Sequence, residues 1–547
     1  MSDWWRGATI YQIYPRSFQD SNADGIGDLK GITQRLGHVA HLGADAIWVS
    51  PFFKSPMVDF GYDVEDYRQV DPIFGTLEDA DEMIATAHRL GLKVIIDMVL
   101  SHTSLRHKWF QESRRDRSNG KADWYVWADP KPDGSPPNNW LSIFGGIAWT
   151  WEGRRQQYYL HNFLTEQPDL NLYNDEVQDA LLAECQFWLD RGVDGFRLDA
   201  VNFLTHDPQL RDNPARPPHH PDTDGVKPEN PYNRQLHLYD KSQPETRCFL
   251  QRLRNLAELY PDILLLGEVA CDNSIERIAE YAGPGGPLHT GYSFALLKDD
   301  FDLSVMRENI EAFSADDAQG WPAWAFSNHD VERVASRWGG QSAPPEFVKS
   351  LIILLLSLRG TVFLYQGEEL GLPEVDIPYD LIVDPYGLNF WPEFRGRDGC
   401  RTPFPWTDAD PRAGFTTVPP WLPIPNAHIL KSVAAQENDP ASIFSFTREF
   451  LSLRKNLSAL RLGNMVFHEV GVRHICFSRS HQRHGVLVAQ NFGPTDTSMP
   501  SPFKDVMPHP LNSLSGFLKD DVIYLPPHQS FLATFEVVDA PVEVEVA

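Results

Sequence analysis

The stretch 93–100 has the sequence KVIIDMVL, a short run rich in β-branched residues with a carboxylate near its C-terminal end. Seven other runs of β-branched and aromatic residues alternate with longer amphipathic segments, as βα units around a parallel sheet do. From Leu29 to Leu42, apolar residues recur every three to four positions, which predicts a helix that packs on the sheet. The eight predicted strands are residues 9–15, 44–51, 93–100, 195–201, 262–269, 290–297, 324–330 and 362–369. Eight such units predict an α/β fold, a closed (β/α)8 TIM barrel.

Three long irregular stretches interrupt the alternation. Residues 103–172 are rich in Trp, Pro, Asn and Gly and show no helical period, so we expect an inserted domain after strand 3, on the side where barrel enzymes build their sites. Residues 207–232 and 371–421 are the other two. From about residue 460, short alternating strands predict an antiparallel β-sandwich. The predicted domains are the barrel at 1–102 and 173–459, the insertion at 103–172 and the C-terminal domain at 460–547.

The net charge restricts the class of partner. The 547 residues include 48 Lys and Arg against 75 Asp and Glu, a formal charge of −27. This balance argues against nucleic acid and against an anionic membrane surface as partners. A small neutral or cationic molecule is the expected ligand, and nothing in the composition indicates the oligomeric state.

Cysteine usage and apolar runs bear on the compartment. The five cysteines are scattered without a CxxC pair, which favours free thiols in a reducing cytoplasm. The first residues, MSDWWR, show no basic start followed by an apolar run, so no secretory signal is expected. The most apolar stretch, 351–364, is interrupted by Arg359 and Gly360 and is shorter than a membrane span. We therefore expect a cytoplasmic protein without a membrane segment.

Charged residues stand at the C-terminal ends of four predicted strands. They are Asp97, Asp199 with Arg197 two residues before it, Glu268, and Asp330 with His329. Because the C-terminal ends of barrel strands meet on one face, these side chains are predicted to converge on one pocket. A single strand-end Asp often caps the next helix, and that interpretation stays open for each residue alone. Several carboxylates together resist desolvation and indicate charge chemistry.

Two of these carboxylates fit glycoside hydrolysis, which needs one protonated and one ionised carboxyl group beside the scissile bond. Asp199 lies two residues from Arg197 on the same face of an extended strand, so the guanidinium is predicted to hold Asp199 ionised as a nucleophile. Glu268 follows the apolar run 263–267. Burial and nearby negative charge are predicted to raise the pKa of Glu268, which keeps its proton for donation.

Four segments resemble the conserved regions of glycoside hydrolase family 13, the α-amylase family, and within it the α-glucosidase and oligo-1,6-glucosidase branch. They are DMVLSH at 97–102, GFRLD at 195–199, GEV at 267–269 and SNHD at 327–330. The resemblance covers nearly the whole chain. It implies that Asp199 is the nucleophile, Glu268 the general acid/base and Asp330 a transition-state stabiliser. It also implies retention of the α-configuration, with no cofactor for catalysis.

The same resemblance implies a closed pocket for a terminal glucose. Its residues would be Asp59, Tyr62, His102, Arg197, His329 and Arg397, with Phe144 and Phe163 as walls. Asp59 and Arg397 would bind the hydroxyls at the non-reducing end, which implies an exo-acting enzyme. The segment QPDLN at 167–171 resembles the fifth region of the glucosidase branch and favours it over endo-acting amylases.

Two further positions bear on the substrate. In this branch the residue after the nucleophile tends to be Val in α-1,6-specific members and smaller or polar in α-1,4-specific ones. Ala200 therefore favours short α-1,4 glucosides such as maltose. The segment GRDGCRTPFPW at 396–406 resembles the branch's GRDxxRTPMQW. Because Phe404 and Pro405 replace Met and Gln, contacts of these two positions to the leaving sugar are not carried over.

A metal site is predicted near the N-terminus, where DSNADGIGD at 20–28 has the spacing of an EF-hand-like loop. The expected ligands of a structural Ca²⁺ or Mg²⁺ are Asp20, Asn22, Asp24, the carbonyl of Ile26, and Asp28. The bidentate Glu that closes a true EF-hand is absent, so an acidic turn without metal is the alternative. Ser101 replaces the Asn that helps amylases to bind calcium, so their calcium site is not expected.

Other functions remain open from the sequence. A glucosyltransferase would use the same covalent intermediate with a sugar or alcohol in place of water. A sucrose-acting enzyme is a variant of that hypothesis. A non-catalytic, amylase-like transporter subunit belongs to another class, but such proteins carry a membrane helix and usually lack part of the catalytic set.

Overall fold

The barrel predicted from the sequence is confirmed in the computed structural model, which describes residues 3–313, 320–511 and 514–537. The barrel strands are β1 (Thr9–Ile13), β2 (Ala46–Val49), β3 (Lys93–Met98), β4 (Gly195–Leu198), β5 (Leu264–Val269), β6 (Thr290–Ser293), β7 (Ala323–Ala325) and β8 (Thr361–Tyr365). They form one parallel sheet in the order β6-β5-β4-β3-β2-β1-β8-β7. A parallel bridge from Gly291 to Pro322 joins its two ends and closes the barrel.

Helices cover the outside of the barrel. The predicted first helix is Leu29–Leu42; the Asp28 side chain caps it by accepting from the amide of Gly31, and Gly43 ends it with a left-handed φ of 104°. The other helices are Leu77–Arg89, Lys108–Ser113, Asp175–Leu189, Thr246–Ala257, Ser274–Ala282, Leu303–Glu311, Val334–Gly339, Pro345–Ser357, Pro385–Phe390, Asn426–Ile429, Val433–Gln436, Ile443–Asn456 and Ser458–Leu462.

Several strands end earlier than the sequence predicts. Strand β4, predicted to reach residue 201, ends at Leu198. Strand β7, predicted to reach residue 330, ends at Ala325. Ala200 has a left-handed φ of 42°, and the Asn328 side chain accepts from the amide of Asp330 at 2.8 Å. The residues past these strands are buried in loops, so an apolar pattern alone does not mark where the ladder stops. Asp199 and Asp330 consequently lie in turns just above the barrel.

The insertion after β3 contains a small antiparallel sheet. Its strands are Trp127–Ala128, Gln157–Leu160 and Trp149–Glu152, with Gln157–Leu160 in the middle. The short helix Lys108–Ser113 was not predicted, because a single turn and a half shows too little periodicity. A two-stranded ribbon of Phe53–Lys54 and Asp66–Val70 follows β2.

The C-terminal part is the predicted antiparallel β-sandwich. One sheet has five strands, which in spatial order are Asn464–Val470, His474–His481, His484–Asn491, Ser530–Glu536 and Met507–Pro508. The other has three, in the order Thr497–Pro500, Val522–Leu525 and Phe517–Lys519. Leu487, Ile523 and Phe531 belong to the core cluster that joins the two sheets. The last ten residues of the predicted range 460–547 lie outside the described residues.

The inside of the barrel changes from apolar to charged along the strands. Ile10, Trp48, Ile95, Leu264 and Phe363 form a cluster there, separate from the larger core beneath the helices. Closer to the C-terminal ends of the strands, the inward positions carry charged residues, so that end of the barrel is the candidate site. Within the described ranges, no helix combines the length and apolar character that a membrane crossing needs.

Candidate active site

Four polar side chains lie near the C-terminal ends of four neighbouring barrel strands. Asp97 on β3 pairs with Arg197 on β4, and Glu268 on β5 pairs with Tyr292 on β6. All four are at least 95% buried. Because alternate residues of a strand face the same side, the pattern that sends Ile95 inward also sends Asp97 inward. The predicted convergence of strand-end charges is therefore present in the fold.

Arg197 contacts three carboxylates. Its Nη1 donates to Oδ1 of Asp97 at 2.7 Å and to Oδ1 of Asp199 at 2.6 Å. Its Nη2 forms an ion pair with Oε1 of Glu268 and lies 3.2 Å from the Tyr292 hydroxyl. One guanidinium thus holds Asp199 and Glu268 on its two terminal nitrogens.

Burial dominates the acidity of this group. It raises the pKa of Asp199 to about 7 and that of Glu268 to about 7, while the positive charge of Arg197 acts in the opposite direction on both. The negative charge of Asp330 raises both further. The direction predicted for Glu268 is found, whereas the ion pair with Arg197 does not lower the pKa of Asp199 below its usual range, because desolvation outweighs it.

Glu268 is held by two further contacts. The Tyr292 hydroxyl donates to its Oε1 at 3.0 Å, and the backbone amide of Ala200 donates to its Oε2 at 3.2 Å. The left-handed turn at Ala200 is what directs that amide toward Glu268, so the residue after Asp199 orients the second carboxylate through its backbone. The two carboxylates are coupled structurally as well as electrostatically.

Asp330 has a different electrostatic environment. Its Oδ1 accepts from Arg397 at 3.1 Å and from Arg401 at 3.0 Å, and Oδ2 lies 3.3 Å from Nε2 of His329. Burial acts to raise the pKa of Asp330, but attraction to His329, Arg397 and Arg401 outweighs it and holds the pKa well below the usual range. Because burial lowers the pKa of His329 to about 3, its imidazole is neutral near pH 7, and the two guanidiniums supply the charge. Asp330 is therefore ionised.

Arg397 closes the other side of the site. It donates to Oδ1 of Asp59 at 2.9 Å and to Oδ1 of Asp384 at 2.7 Å, in addition to Asp330. The Gln167 amide donates to the second oxygen of Asp59 at 3.1 Å. The predicted pair of Asp59 and Arg397 is thus in direct contact and is oriented by its neighbours.

Tyr62, His102 and His329 form a polar wall. The Tyr62 hydroxyl lies 2.6 Å from Nε2 of His329, and the two rings stack at an interplanar angle of 4°. His102 is 1% exposed; its Nε2 lies 3.1 Å from the Tyr62 carbonyl, and its Nδ1 lies 2.9 Å from the Ser101 hydroxyl. Burial lowers the pKa of His102 to about 4, so this wall is uncharged near neutral pH.

A cavity opens over these groups. The predicted site residues that line it are Asp59, Tyr62, His102, Phe144, Phe163, Asp199, Ala200, Glu268, Asp330 and Arg397. Arg197 and His329 lie behind this surface and contact its carboxylates. The rings of Phe144 and Phe163 are 6.2 Å apart, and Phe144 also stands 5.3 Å from the guanidinium of Arg397. Polar groups at one end and aromatic rings along the sides suit a sugar ring.

Comparison with known proteins agrees with this geometry. The family model described as the α-amylase catalytic domain matches residues 12–463. The chain belongs to the α-amylase family. It is 54% identical over 535 residues to a Rhizobium meliloti (strain 1021) protein named probable α-glucosidase, covering 97% of each chain. It is 35% identical over 538 residues to an oligo-1,6-glucosidase of Heyndrickxia coagulans, covering 92% of this chain and 94% of the relative.

A solved structure of the same family superimposes closely. The α-glucosyl transfer enzyme XgtA is 52% identical and gives a TM-score of 0.95, with 98% of this chain and 100% of that chain covered. The barrel and the C-terminal sandwich of this α-amylase-family chain therefore share both sequence and architecture with a sugar-transferring protein.

Some residues of the site were missed from the sequence. Tyr292 contacts Glu268, Arg401 contacts Asp330, and Asp384 binds Arg397. Arg401 lies in the segment 396–406, so the motif could have predicted it. Tyr292 lies at an inward position of β6, so the strand pattern could have predicted it. The sequence around Asp384 indicates only a helix cap before Pro385, and nothing in it predicts a contact with Arg397. The cavity is also lined by Ile143, Gln167, Phe203, Asp224, Gly225, Ala270, Phe294 and Tyr386.

The segment 396–406 divides between the site and the core. Arg397 lines the cavity, whereas Phe404 is 1% exposed and packs against Phe18 and Trp406, with ring centroids 5.5 and 4.5 Å away. Neither Phe404 nor Pro405 lines the cavity. The replacement of Met and Gln at these positions therefore alters packing behind the site.

The predicted metal loop is closed by its own hydrogen bonds. Asp20 accepts from the amides of Asn22 and Ala23 at 3.0 and 2.8 Å, and Asp28 accepts from the amide of Ser21 at 2.8 Å. Among the residues that the structure describes, no three His, Cys, Asp or Glu side chains are grouped to hold a metal ion. A Ca²⁺ or Mg²⁺ bound by Asp20, Asn22, Asp24, Ile26 and Asp28 stays a prediction.

Proposed function

We propose that this protein is a retaining, exo-acting α-glucosidase that releases α-glucose from short α-glucosides. The observation that carries the proposal is the buried pair of Asp199 and Glu268 on the two ends of one guanidinium. Retaining glycosidases need carboxyl groups only about 5–5.5 Å apart, whereas inverting enzymes separate them by about 6.5–9.5 Å to admit water. Two carboxylates that share Arg197 favour the shorter separation.

The proposed reaction proceeds in two displacements. Asp199 attacks the anomeric carbon, and the bond from that carbon to the glycosidic oxygen breaks while Glu268 gives its proton to the departing oxygen. Glu268, now ionised, then takes a proton from water, whose oxygen attacks the anomeric carbon and releases Asp199. Each displacement inverts the carbon, so the released glucose keeps the α-configuration. The negative charge of Asp330 stabilises the oxocarbenium-like transition state of both steps.

The pKa values near 7 suit this exchange of a proton. Burial raises the pKa of both Asp199 and Glu268; the negative charge of Asp199 raises the pKa of Glu268 further, and that of Asp97 does the same for Asp199. The pair therefore retains one proton near neutral pH, which is the state that the first displacement requires. Arg197 binds Asp97 and Asp199 through the same nitrogen and keeps the nucleophile oriented.

Exo-action is proposed from the polar side of the cavity. Asp59 and Arg397 offer an acceptor and a donor for the hydroxyls of a terminal sugar, and their contacts to Gln167 and Asp384 hold the two side chains in place. We propose that this side binds the non-reducing glucose. Arg397 donates to both Asp59 and Asp330. The same side chain therefore contacts a residue proposed to bind sugar hydroxyls and the carboxylate proposed to stabilise the transition state.

The leaving group is proposed to be neutral. Among the described residues that line the cavity, positive charge is confined to Arg397, which already pairs with three carboxylates. Asp224 adds a negative charge, partly balanced by Lys298 at 3.0 Å. A phosphate on the leaving sugar would therefore find no free cation. Together with Ala200, this favours unphosphorylated α-1,4 glucosides such as maltose.

Transglucosylation is the second function that we propose, on a specific observation. Besides its polar end, the cavity presents the rings of Phe203, Phe294 and Tyr386, which can hold the apolar face of an acceptor sugar or alcohol while water is partly excluded. The resemblance to the α-glucosyl transfer enzyme at 52% identity supports this. The acceptor's hydroxyl would replace water in the second displacement.

The anomeric form of the first product tests the proposal. Proton NMR of the protein with maltose should show α-glucose before mutarotation, and new glycosidic signals at high maltose would report transfer. Early β-glucose would refute the nucleophilic role of Asp199. If maltose and other α-glucosides are all left intact, the α-glucosidase assignment is wrong.

A further inference from the structure

Arg397 is held mainly by a carboxylate that does not line the cavity. Asp384 is fully buried, and its Oδ1 accepts from Nη2 of Arg397 at 2.7 Å and from Nε at 3.1 Å. Its Oδ2 accepts from the backbone amide of Arg397 at 2.7 Å. Asp59 and Asp330 each take one hydrogen bond from the same guanidinium. Asp384 therefore fixes both the backbone and the plane of the side chain.

A reciprocal contact closes the loop between Asp384 and Arg397. Oδ2 of Asp398 accepts from the amides of Val383 and Asp384 at 2.7 and 3.0 Å. The two arms of the loop also meet without side chains between them, since a Cβ placed on Gly387 would lie 2.6 Å from the Cα of Gly396. Asp384 and Asp398 thus both close the loop, but in the described contacts Asp384 binds the Arg397 side chain and Asp398 does not.

The same loop supplies a wall of the cavity. Asp384 caps the helix Pro385–Phe390 by accepting from the amide of Tyr386 at 3.3 Å. The Tyr386 ring lies 5.1 Å from that of Phe144, and its hydroxyl accepts from Asn230 at 3.0 Å. Arg397 and Tyr386 consequently belong to one loop, and Asp384 forms hydrogen bonds to both residues.

The charge of Asp384 matters as much as its shape. Burial acts to raise its pKa, but Arg397 and Arg401 hold the pKa below the usual range and so favour the ionised carboxylate. An amide at this place would keep one acceptor and turn an N–H₂ group toward the N–H groups of Arg397. The guanidinium would then swing toward Asp59 and Asp330 and away from a substrate hydroxyl.

We propose that Asp384 is a positioning residue that sets Arg397 for recognition of the 4-hydroxyl of the terminal glucose. The inference rests on the proposed function, because it assumes that Arg397 meets a sugar hydroxyl opposite the anomeric carbon. Asp384 itself does not touch substrate; it acts through Arg397.

A pair of substrates separates this role from a merely structural one. We would compare kcat/KM for 4-nitrophenyl α-glucoside and its 4-deoxy analogue in the wild type, Asp384→Asn and Asp384→Glu, with Asp398→Asn as the matched control that weakens loop closure alone. Asp384→Asn should lower kcat/KM about 10- to 100-fold on the glucoside, as expected for a lost charged hydrogen bond, and less than about 3-fold on the 4-deoxy analogue. Asp384→Glu should show the same selectivity to a smaller extent.

The control decides between the two roles. Asp398→Asn should affect both substrates equally, since no selective contact is lost. Equal losses on both substrates in Asp384→Asn, or the same selective loss in Asp398→Asn, would overturn the inference. If Asp384→Asn does not fold, Asp384→Glu decides, because wild-type discrimination in that variant contradicts the proposal. A wild type inactive on the glucoside would refute the proposed function, whereas an active wild type with unselective variants refutes the role of Asp384 alone.

Discussion

Replacing Glu268 by Gln should abolish activity and yet stabilise the protein at alkaline pH. Glutamine keeps an oxygen that can accept from the amide of Ala200 or the hydroxyl of Tyr292, and it removes a carboxylate that burial makes unfavourable. Burial raises the pKa of Glu268 from its usual 4.5 to about 7, although Arg197 opposes the rise. At about 1.36 kcal/mol for each pKa unit, this rise corresponds to about 3 kcal/mol.

The sign of the effect follows from where the proton is held more tightly. The folded protein binds this proton more strongly than the unfolded chain, so the stability that Glu268 contributes is complete below about pH 4.5 and is lost as the pH rises through about 7. With an unfolding entropy of about 2.1 cal/mol/K per residue, a chain of 547 residues has about 1.1 kcal/mol/K, so 3 kcal/mol amounts to about 3 °C.

Thermal melts at pH 5 and pH 8 measure this difference directly. The melting temperature of Glu268→Gln relative to wild type should rise by about 2–3 °C between the two pH values, because effects of the substitution that do not depend on pH cancel. Glu82→Gln, at an exposed position on the helix Leu77–Arg89, controls for the change in net charge. If the difference in melting temperature is the same at both pH values, or favours wild type more at pH 8, burial does not raise the pKa of Glu268.

Three other results are expected. The profile of kcat/KM against pH should be bell-shaped, falling in acid as Asp199 is protonated and in alkali as Glu268 loses its proton, since burial raises the pKa of each to about 7; a profile flat from about pH 5 to 9 would contradict this. Ala200→Val should lose stability, because a β-branched residue is strained at a left-handed φ of 42°, and should hydrolyse more isomaltose relative to maltose; Ala200→Gly is the control, and an unchanged ratio speaks against a role in linkage. Millimolar Ca²⁺ should raise the melting temperature of wild type above that in EDTA, and Asp24→Ala should remove the gain; identical melts in both buffers would leave the loop without a metal role.

The barrel was predictable because each strand carries its signal locally. The run KVIIDMVL is buried along nearly its whole length, and apolar residues spaced for a helix precede β2. Strand ends were less predictable: Asp330 lies five residues beyond β7, and residues 326–329 before it are as buried as the strand itself. A pattern of residue types does not distinguish a buried turn from a buried strand, so it does not predict where the backbone pairing ends.

The site was predictable where a motif carries it and not where distant chain segments meet. Glu268 lies on its strand, and Asp199 and Asp330 lie in the turns that follow β4 and β7, so the barrel topology brings all three to one face. Asp384 reaches Arg397 from the far arm of a long loop, and no periodicity or motif predicts that contact. The raised pKa of Asp199 was equally out of reach, since it depends on how much water the finished cavity excludes.

The attack of Asp199 on the anomeric carbon would form a covalent glucosyl-enzyme, and trapping that intermediate identifies the nucleophile. The protein would be incubated with 5-fluoro-α-glucosyl fluoride, digested and examined by tandem mass spectrometry. We expect one fluoroglucosyl ester, on the carboxylate of Asp199, which decays with recovery of activity when an acceptor sugar is added. An ester on Glu268 or on any other residue, or full turnover by the Asp199→Asn variant, would contradict the nucleophilic role of Asp199.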